Sequence, residues 1–361
     1  MPRRDCEKPS IGDPKVRVIY ISGASRSGST VLAALLGSQA ESVSVGELVQ
    51  LHRAGWLHDE YCACATRCSA CPFWTQVLAQ WQALCGDVDV SRYLKLQSRF
   101  ERLRSWPRLI LGARLDSAAY REYIRQTTGL LRAICAVSGK RVVVDSSKHP
   151  MRALALSRLP DVDLHVLHLV RDVRATAWSH AKGYRKDPRG GLQTEKPPQP
   201  VWRSTRDWLL AHALAEWLGK SATDRFQRLR YEDLVDRPEQ ALMGLQSFLE
   251  LDLQDIIARV LAGAEFPVGH QIAGNRVRMQ GNVRLRADTD WLEAMPAAQR
   301  DACWRMAGWF ARRYGYSRNL PDRSDLVPRL PQAPDPQLPA GMFPPPHALS
   351  RSEGRTTCSS G

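Results

Sequence analysis

The sequence predicts an α/β protein with three layers, in which a central parallel sheet lies between layers of helices. Three apolar runs at 16–22, 141–145 and 164–170 each have the length and composition of a buried strand. Segments with the helical spacing of apolar residues separate these runs, and strands that alternate with helices form parallel sheets with crossover helices. The chain of 361 residues, 43% of them hydrophobic, is long enough to bury the core that this fold needs.

The other elements follow from the same patterns in chain order. Helices are predicted over 29–38, 150–158, 172–182, 202–219, 238–250 and 297–313, with a short strand near 226–230. We expect a single domain over 16–319, which contains a helical insert at about 58–138 and a mobile basic loop at 183–200. The proline-rich polar segments 1–15 and 320–361 are expected to be disordered.

The chain is strongly basic. Its 51 Lys and Arg residues outnumber its 37 Asp and Glu residues, which gives a net charge of +14 and a pI near 9.6. This charge favours binding of nucleic acid, an anionic membrane surface or a highly anionic small ligand, and the charge alone does not distinguish among these partners. No run approaches the roughly 18 apolar residues of a membrane span, and residues 1–13 lack the apolar segment of a signal peptide. We therefore expect a soluble cytoplasmic protein without a transmembrane segment.

A loop that binds phosphate or sulfate is predicted between the first strand and the first helix. Gly23 and Gly28 have the separation of a Walker A motif, and Thr30 stands where that motif places its magnesium-binding hydroxyl. Ser29, however, replaces the lysine that reaches the β and γ phosphates of ATP. The loop therefore predicts an anionic ligand other than ATP with magnesium, and no magnesium requirement.

The physical basis of this site does not depend on the motif. The first amides of a helix have no partner within the helix and lie at the positive end of its dipole, so they bind anions. Serine and threonine hydroxyls add donors, and Arg26 adds a fixed charge with a planar set of donors. The hydroxyl residues of the loop are Ser25, Ser27, Ser29 and Thr30.

A second cationic position follows the strand at 164–170. Arg171 is delivered to the carboxyl edge of the sheet, where open α/β sheets bind ligands. Ser179 lies eight residues further on, about two helical turns, which predicts that it lies near Arg171. An arginine and a hydroxyl together can bind a second phosphate.

With these residues the chain resembles the sulfotransferases that use 3′-phosphoadenosine 5′-phosphosulfate (PAPS), in particular their bacterial and Golgi-type branch. Two weaker elements agree with this resemblance and occur in the order of that family. One is the segment 229–234 with Tyr231, and the other is the Gly/Arg segment 269–284 with Arg276 and Arg284. The resemblance implies a P-loop-like sulfotransferase fold, with the helical insert as a lid over the acceptor.

The resemblance also implies roles for these residues. The segment from Ser25 to Thr30 would hold the 5′-phosphosulfate, Arg171 and Ser179 the 3′-phosphate, and Tyr231 would lie near the nucleotide. The loop with Arg276 and Arg284 would close over it. The implied reaction is in-line transfer of the sulfuryl group from PAPS to a hydroxyl of a small molecule, sugar or lipid, with release of adenosine 3′,5′-bisphosphate (3′,5′-ADP).

Two residues are candidates for the general base that takes the acceptor proton. Glu47 follows the first helix where Golgi-type and several bacterial sulfotransferases carry a catalytic glutamate, and it is the preferred candidate. His149 follows the strand at 141–145, and the unperturbed pKa of histidine suits base catalysis. Lys148 is expected to contact the sulfuryl group or the acceptor, and Arg26 to stabilise the leaving phosphate.

Four cysteines are concentrated in a ten-residue segment directly before Pro72-Phe73-Trp74. Three interpretations remain open: the thiolates bind a structural zinc ion, the cysteines form disulfides, or the segment is a thiol-rich turn with neither. A cytoplasmic location disfavours disulfides. The cysteines are Cys62, Cys64, Cys68 and Cys71.

Two functions of other classes remain open. A P-loop kinase would bind ATP with magnesium, and Ser29 argues against it. A nucleic-acid-binding protein would use the basic surface, but the sequence has no recognition motif for nucleic acid, so we expect no such partner. The sequence leaves the acceptor and the oligomeric state undetermined.

Overall fold

The computed structural model describes residues 14–320 except 87, 106, 108–116, 194 and 222. The expected disorder of the two termini therefore concerns residues that lie almost entirely outside the described part of the chain. In that part, five parallel strands form the central sheet in the order β2-β3-β1-β4-β5. The strands are β1 (Val16–Gly23), β2 (Ser42–Gly46), β3 (Val142–Lys148), β4 (Val162–Val170) and β5 (Phe226–Arg230).

The predicted helices are present with ends that differ by a few residues. In the described part of the chain, the α-helices begin with α1 (Ser29–Gly37), α2 (Pro72–Cys85), α3 (Val90–Phe100), α4 (Ala118–Ser138), α5 (Pro150–Leu156) and α6 (Val173–Ala181). They are followed by α7 (Val201–Ser221), α8 (Tyr231–Asp236), α9 (Pro238–Leu249), α10 (Gln254–Leu261), α11 (Asp290–Ala294) and α12 (Ala297–Ala311). Within the described residues, the insert contains α2, α3 and α4. Within the described ranges, no helix combines the length and the apolarity that crossing a membrane requires.

Strand β2, the short helices α8, α10 and α11, and a small antiparallel pair were not predicted. The pair is β6 (Phe266–Pro267) with β7 (Asn282–Val283). Each of these elements spans eight residues or fewer, and so short a segment gives little periodic pattern from which to predict it. Strand β2 matters most for the site, because it ends directly before Glu47.

Alternate residues of β1 face opposite layers, as the period of a strand requires. Val18 and Tyr20 pack with the insert and α5, whereas Ile19 and Ile21 pack with α1, α9 and α10. A further apolar cluster around Trp208 joins α6, α7 and α12. These layers on both faces of the sheet confirm the predicted three-layer α/β fold.

A buried ionic network fastens the insert to the sheet. The guanidinium of Arg152 donates through Nε to Asp145 Oδ2 at 3.0 Å and through Nη1 to Glu101 Oε1 at 2.6 Å. The hydroxyl of Tyr123 donates to the same oxygen of Glu101 at 2.9 Å. Asp145 also accepts from the backbone amide of Leu48 at 3.3 Å, so the network fixes the residue that follows Glu47.

Candidate functional site

The loop between β1 and α1 exposes the helix N-terminus. No side chain caps the first amides of α1, so they are free to bind an anion. Gly28 has φ of 93°, and a Cβ atom there would lie 2.6 Å from Cδ2 of Tyr231, so only glycine fits this position. Ser27 is turned inward, since its buried hydroxyl donates to the carbonyl of Ala24 at 2.8 Å. Ser25 faces outward and its Oγ lies 2.8 Å from Nε2 of His180.

A cavity of about 730 Å³ opens at this end of the sheet. Most of the residues predicted from the sequence to bind the phosphosulfate or to catalyse line it, and they come from the first loop, the ends of β2 and β3, and α6. These are Ser25, Arg26, Gly28, Ser29, Thr30, Glu47, Lys148, His149 and Ser179. Some residues of segments 182–200 and 273–278 also line it. The convergence of distant segments at the carboxyl edge of a parallel sheet is the arrangement expected of a ligand site.

Glu47 and Lys148 form an ion pair in the wall of this cavity. Nζ of Lys148 donates to Oε1 of Glu47, and the two side chains are 13% and 15% exposed. The backbone amide of Glu47 donates to the carbonyl of Ile272 at 2.9 Å. Gly274, with φ of 90°, approaches so closely that a Cβ atom would lie 3.1 Å from Oε1 of Glu47. Segment 272–274 and β3 thus hold the carboxylate in one place.

His149 lies beside this pair, with its side chain exposed to the cavity. Its pKa is lowered because the surrounding protein displaces water, although the charge of Glu47 opposes this effect. The hydroxyl of Tyr20 donates to the His149 carbonyl at 2.8 Å, which fixes the backbone. Both candidate bases therefore line the same cavity.

Arg171 is buried directly after β4. It lines a neighbouring cavity of about 340 Å³ together with Tyr231, and the structure does not bring it to the same cavity as Ser179. Its Nη1 donates to the carbonyl of Arg26 at 3.1 Å, and Nη2 lies 2.9 Å from Oδ2 of Asp288. Its Nε is buried and has no hydrogen-bond partner among the described residues. The guanidinium also lies 4.6 Å from the centre of the Tyr231 ring.

The two predicted arginines of the Gly/Arg segment lie outside the main cavity wall. Arg276 is exposed and stacks on Tyr184 at 4.7 Å from the ring centre, while Arg26 contacts the same ring at 5.5 Å. Arg284 is exposed and its guanidinium lies 3.9 Å from a carboxylate oxygen of Glu265. Arg278, which the sequence did not single out, is buried and lines the cavity instead.

Several other lining residues were also missed at the level of sequence. They are His180, Lys182, Tyr184, Lys196 and Arg203. Desolvation and the charge of Arg26 lower the pKa of His180 to about 4, so this imidazole is neutral at physiological pH. The basic composition of segment 183–200 indicated that it belongs to the site, but composition does not say which of its side chains face inward.

The cysteine segment adopts an arrangement that the sequence did not predict. Cys62, Cys64 and Cys71 converge with His270, and their sulfur and nitrogen atoms all lie within 4.8 Å of one another. Cys68, the fourth cysteine of the predicted set, is not one of this group and is buried in the core of the insert. The group that could hold a metal ion therefore contains His270, about 200 residues away in the sequence, in place of Cys68.

Several solved structures are similar to this chain. The sulfotransferase domain of the olefin synthase from Synechococcus PCC 7002 has a TM-score of 0.45 at 18% identity, with 88% of this chain and 100% of that chain covered. The sulfotransferase domain from the curacin biosynthetic pathway has a TM-score of 0.44 at 16% identity, with 83% and 98% covered. Mouse sulfotransferase SULT7A1, solved as a complex with PAP, has a TM-score of 0.39 at 11% identity, with 84% and 90% covered.

No curated protein sequence matches the chain. A family model does, and its description is "Sulfotransferase family". The match extends over residues 18–255, which is about two thirds of the chain and includes the first loop, Glu47, Lys148, Arg171 and Tyr231. On this evidence the protein is an enzyme that belongs to the sulfotransferase family.

Proposed function

We propose that the protein transfers the sulfuryl group of PAPS to a hydroxyl of an acceptor by in-line displacement and releases 3′,5′-ADP. The observation that carries this proposal is the uncapped N-terminus of α1, which faces a cavity whose positive charge comes from side chains. The cationic lining residues are Arg26, Lys148, Lys182, Lys196, Arg203 and Arg278. PAPS carries three anionic groups, and arginine and lysine side chains together with free amides can bind them.

The first loop is proposed to hold the 5′-phosphosulfate. The amides of α1 and the hydroxyls of Ser25, Ser29 and Thr30 would donate to its oxygens, and Arg26 would stabilise the charge on the departing phosphate. The packing of Tyr231 against Gly28 and Arg171 supports a place for the tyrosine beside the nucleotide.

Arg171 and Ser179 are proposed to bind the 3′-phosphate. The free Nε of Arg171 supports this role, because a buried guanidinium nitrogen without a partner is costly and a phosphate oxygen would satisfy it. Binding requires Arg171 to exchange its contact with the side chain of Asp288 for the phosphate. Arg276 is proposed to become part of the site when the loop closes over the nucleotide, because Tyr184 already contacts both Arg276 and Arg26. Arg284 is proposed to close over the nucleotide with the same loop.

Glu47 is proposed to be the general base, with His149 as the alternative. Transfer of a sulfuryl group, like phosphoryl transfer, depends on positioning and on stabilisation of charge. The fixed carboxylate of Glu47 can take the proton of the acceptor hydroxyl. Lys148 holds this carboxylate and carries a positive charge that can stabilise the sulfuryl oxygens. The insert and segment 183–200 are proposed to form the lid and the acceptor pocket.

A ligand-specific change in thermal stability tests the donor. At about 100 times its Kd, 3′,5′-ADP should stabilise the fold by about 2.7 kcal/mol and raise Tm by about 4 °C. ATP with magnesium or a single-stranded oligonucleotide should raise it far less. The shift with 3′,5′-ADP should shrink in Ser179→Ala, since one donor to the 3′-phosphate is lost.

The same experiment separates the alternative functions. A larger shift with ATP and magnesium would indicate a kinase, and a shift confined to the oligonucleotide would indicate a nucleic-acid-binding protein. Absence of any shift with 3′,5′-ADP would refute PAPS as the donor. Transfer of label from PAPS to a panel of sugars, lipids and phenols would then identify the acceptor class.

A further inference from the structure

Four potential metal ligands converge outside the nucleotide site. Sγ of Cys64 lies 3.6 Å from Sγ of Cys71, and Nδ1 of His270 lies 3.3 Å from Sγ of Cys71 and 3.8 Å from Sγ of Cys62. Cys62 and Cys71 are buried, while Cys64 and His270 are partly buried. All three cysteines are free thiols in the structure.

These distances match the edges of a tetrahedral zinc site. Zinc binds thiolate at about 2.3 Å and imidazole at about 2.0–2.1 Å. Tetrahedral geometry then places two sulfur ligands about 3.8 Å apart and a sulfur and a nitrogen about 3.5 Å apart. A ligand set of three cysteines and one histidine is one of the usual sets for structural zinc.

The local backbone presents the cysteines on one side of a tight turn. The amide of Cys62 donates to the carbonyl of Thr66 at 2.9 Å, and the amide of Ala65 donates to the carbonyl of Cys62 at 3.0 Å. This turn brings Cys62 and Cys64 together, and Cys71 follows at the N-terminus of α2. The hydroxyl of Thr66 lies 3.1 Å from Sγ of Cys64, where it can donate to a thiolate.

The Pro-Phe-Trp motif holds the histidine in place. The ring of Phe73 stacks on the imidazole of His270, with centres 5.0 Å apart and planes at 7°. The indole of Trp74 donates to the carbonyl of His270 at 2.9 Å. Such contacts fix the orientation of a metal-binding imidazole. They also account for a motif that the nucleotide site does not use.

A buried cation lies close to this group. Arg278 is 1% exposed, and its Nη2 donates to the carbonyl of Tyr61, the residue before Cys62, at 3.1 Å. Nε and Nη1 of Arg278 have no hydrogen-bond partner among the described residues. Zinc with three thiolates and a neutral imidazole carries a net charge of −1, which would compensate a guanidinium that is costly to bury alone.

We propose that Cys62, Cys64, Cys71 and His270 bind one structural Zn²⁺ ion, which fastens the segment after Gly269 to the insert. Each thiol loses its proton when it binds the metal, and His270 binds through Nδ1. The anchored segment continues directly to the site, because Ile272 bonds to the backbone of both Val45 and Glu47. The ion would therefore set the position of the strand end that carries the candidate base.

Metal analysis of the full-length protein, purified without chelators and without nucleotide, tests this proposal. We expect inductively coupled plasma mass spectrometry to find about one zinc ion per chain. Replacement with Co²⁺ should give the visible absorption of tetrahedral cobalt with thiolate charge-transfer bands. A chain without zinc that also fails to bind cobalt overturns the proposal, as does a disulfide between any two of the three cysteines.

Matched variants identify the ligands. Cys64→Ala and His270→Ala should each weaken zinc binding by tenfold or more, measured by competition with a chromogenic chelator, and His270→Cys should retain the metal. Cys68→Ala is the control, since this cysteine is buried nearby but outside the group, and it should leave the zinc content unchanged. Loss of zinc in Cys68→Ala with retention in His270→Ala would overturn the assignment in favour of four cysteines.

These measurements do not depend on the proposed function. A protein that binds zinc but shows no shift with 3′,5′-ADP would refute PAPS as the donor and keep the metal site. A protein stabilised by 3′,5′-ADP but without zinc would refute the metal site alone. Circular dichroism of each variant establishes that the folded protein is being compared.

Discussion

Two cationic residues of the cavity have an unusual backbone conformation. Arg26 and Lys148 have φ of 67° and 69°, in the left-handed region that residues other than glycine seldom adopt. Such a conformation costs roughly 1 kcal/mol or more and persists where the surrounding structure imposes it, often at functional sites. Here it directs one residue before α1 and one at the end of β3 toward the same cavity. The strain thus coincides with the residues proposed to stabilise the transferring group.

Replacing Glu47 by glutamine tests the assignment of the base. Glutamine still accepts a hydrogen bond from Lys148, so the geometry should persist and the affinity for 3′,5′-ADP should change little. Turnover with labelled PAPS and an acceptor should fall by roughly two to four orders of magnitude, because the amide cannot take a proton.

His149→Ala is the matched variant for this test. It removes the alternative base from the same cavity and should lower turnover less than Glu47→Gln does. Full activity of Glu47→Gln together with a loss of about 100-fold or more in His149→Ala would transfer the role of base to the histidine.

Asp288 is predicted to compete with the nucleotide for Arg171. Its carboxylate lies 2.9 Å from Nη2 of Arg171 and is 44% exposed, so it can be displaced. Asp288→Asn should tighten 3′,5′-ADP binding by about 2-fold to 10-fold in calorimetric titration, since less than about 1.4 kcal/mol of competing attraction is removed. Asp301→Asn, which removes an equal charge from a pair with Arg318, should leave Kd unchanged. Weaker binding in Asp288→Asn would argue against a phosphate at Arg171.

At the scale of elements, local pattern predicted the fold well. The first strand, loop and helix could be recognised because apolar run, glycine spacing and helical periodicity are all contained in about 20 residues. Strand β2 was missed because Ser42–Gly46 is short, with polar residues that the neighbouring strand and α1 bury. Its pairing with β3 is a tertiary property that no local pattern encodes.

The same limit applies to the site. Arg26 and Lys148 could be proposed because each follows a predicted strand, and Glu47 because it stands where Golgi-type and several bacterial sulfotransferases carry a glutamate. The approach of Arg278 and His270 to segment 61–71 spans about 200 residues of sequence, and composition gives no signal for it. Cys68 was grouped with the other cysteines by spacing alone, whereas the structure buries it in the apolar core.

The network around Arg152 makes a prediction about the insert. Arg152→Met would leave Asp145 and Glu101 buried without their cation, which should lower the free energy of unfolding by about 3–5 kcal/mol. Urea unfolding followed by circular dichroism measures this change. Asp301→Asn breaks an exposed pair with Arg318 instead and should change stability by less than about 1 kcal/mol. A loss below about 1 kcal/mol in Arg152→Met would mean that the network does not hold the insert to the sheet.

At the scale of the whole molecule, the net charge of +14 admits two explanations for anion binding. A general field would attract any polyanion and would be screened over about 10 Å at 0.1 M salt. A cavity lined by arginine and lysine would bind one ligand through short, partly desolvated contacts that salt screens less. The two explanations differ in whether the affinity for 3′,5′-ADP depends on an arginine of the cavity or equally on any arginine of the protein.

Exchanging single arginines separates these explanations. Arg26→Gln should weaken 3′,5′-ADP binding by about 10-fold to 100-fold at fixed salt, because one charge-assisted contact is worth about 1.5–3 kcal/mol. Arg318→Gln lowers the net charge equally, but Arg318 pairs with Asp301 on the surface. The Kd of this variant for 3′,5′-ADP should therefore equal that of the wild-type protein from 50 to 500 mM NaCl. Calorimetric titration of both variants across that range gives the comparison. Equal weakening in both would assign binding to the general field and remove the special role of the first loop.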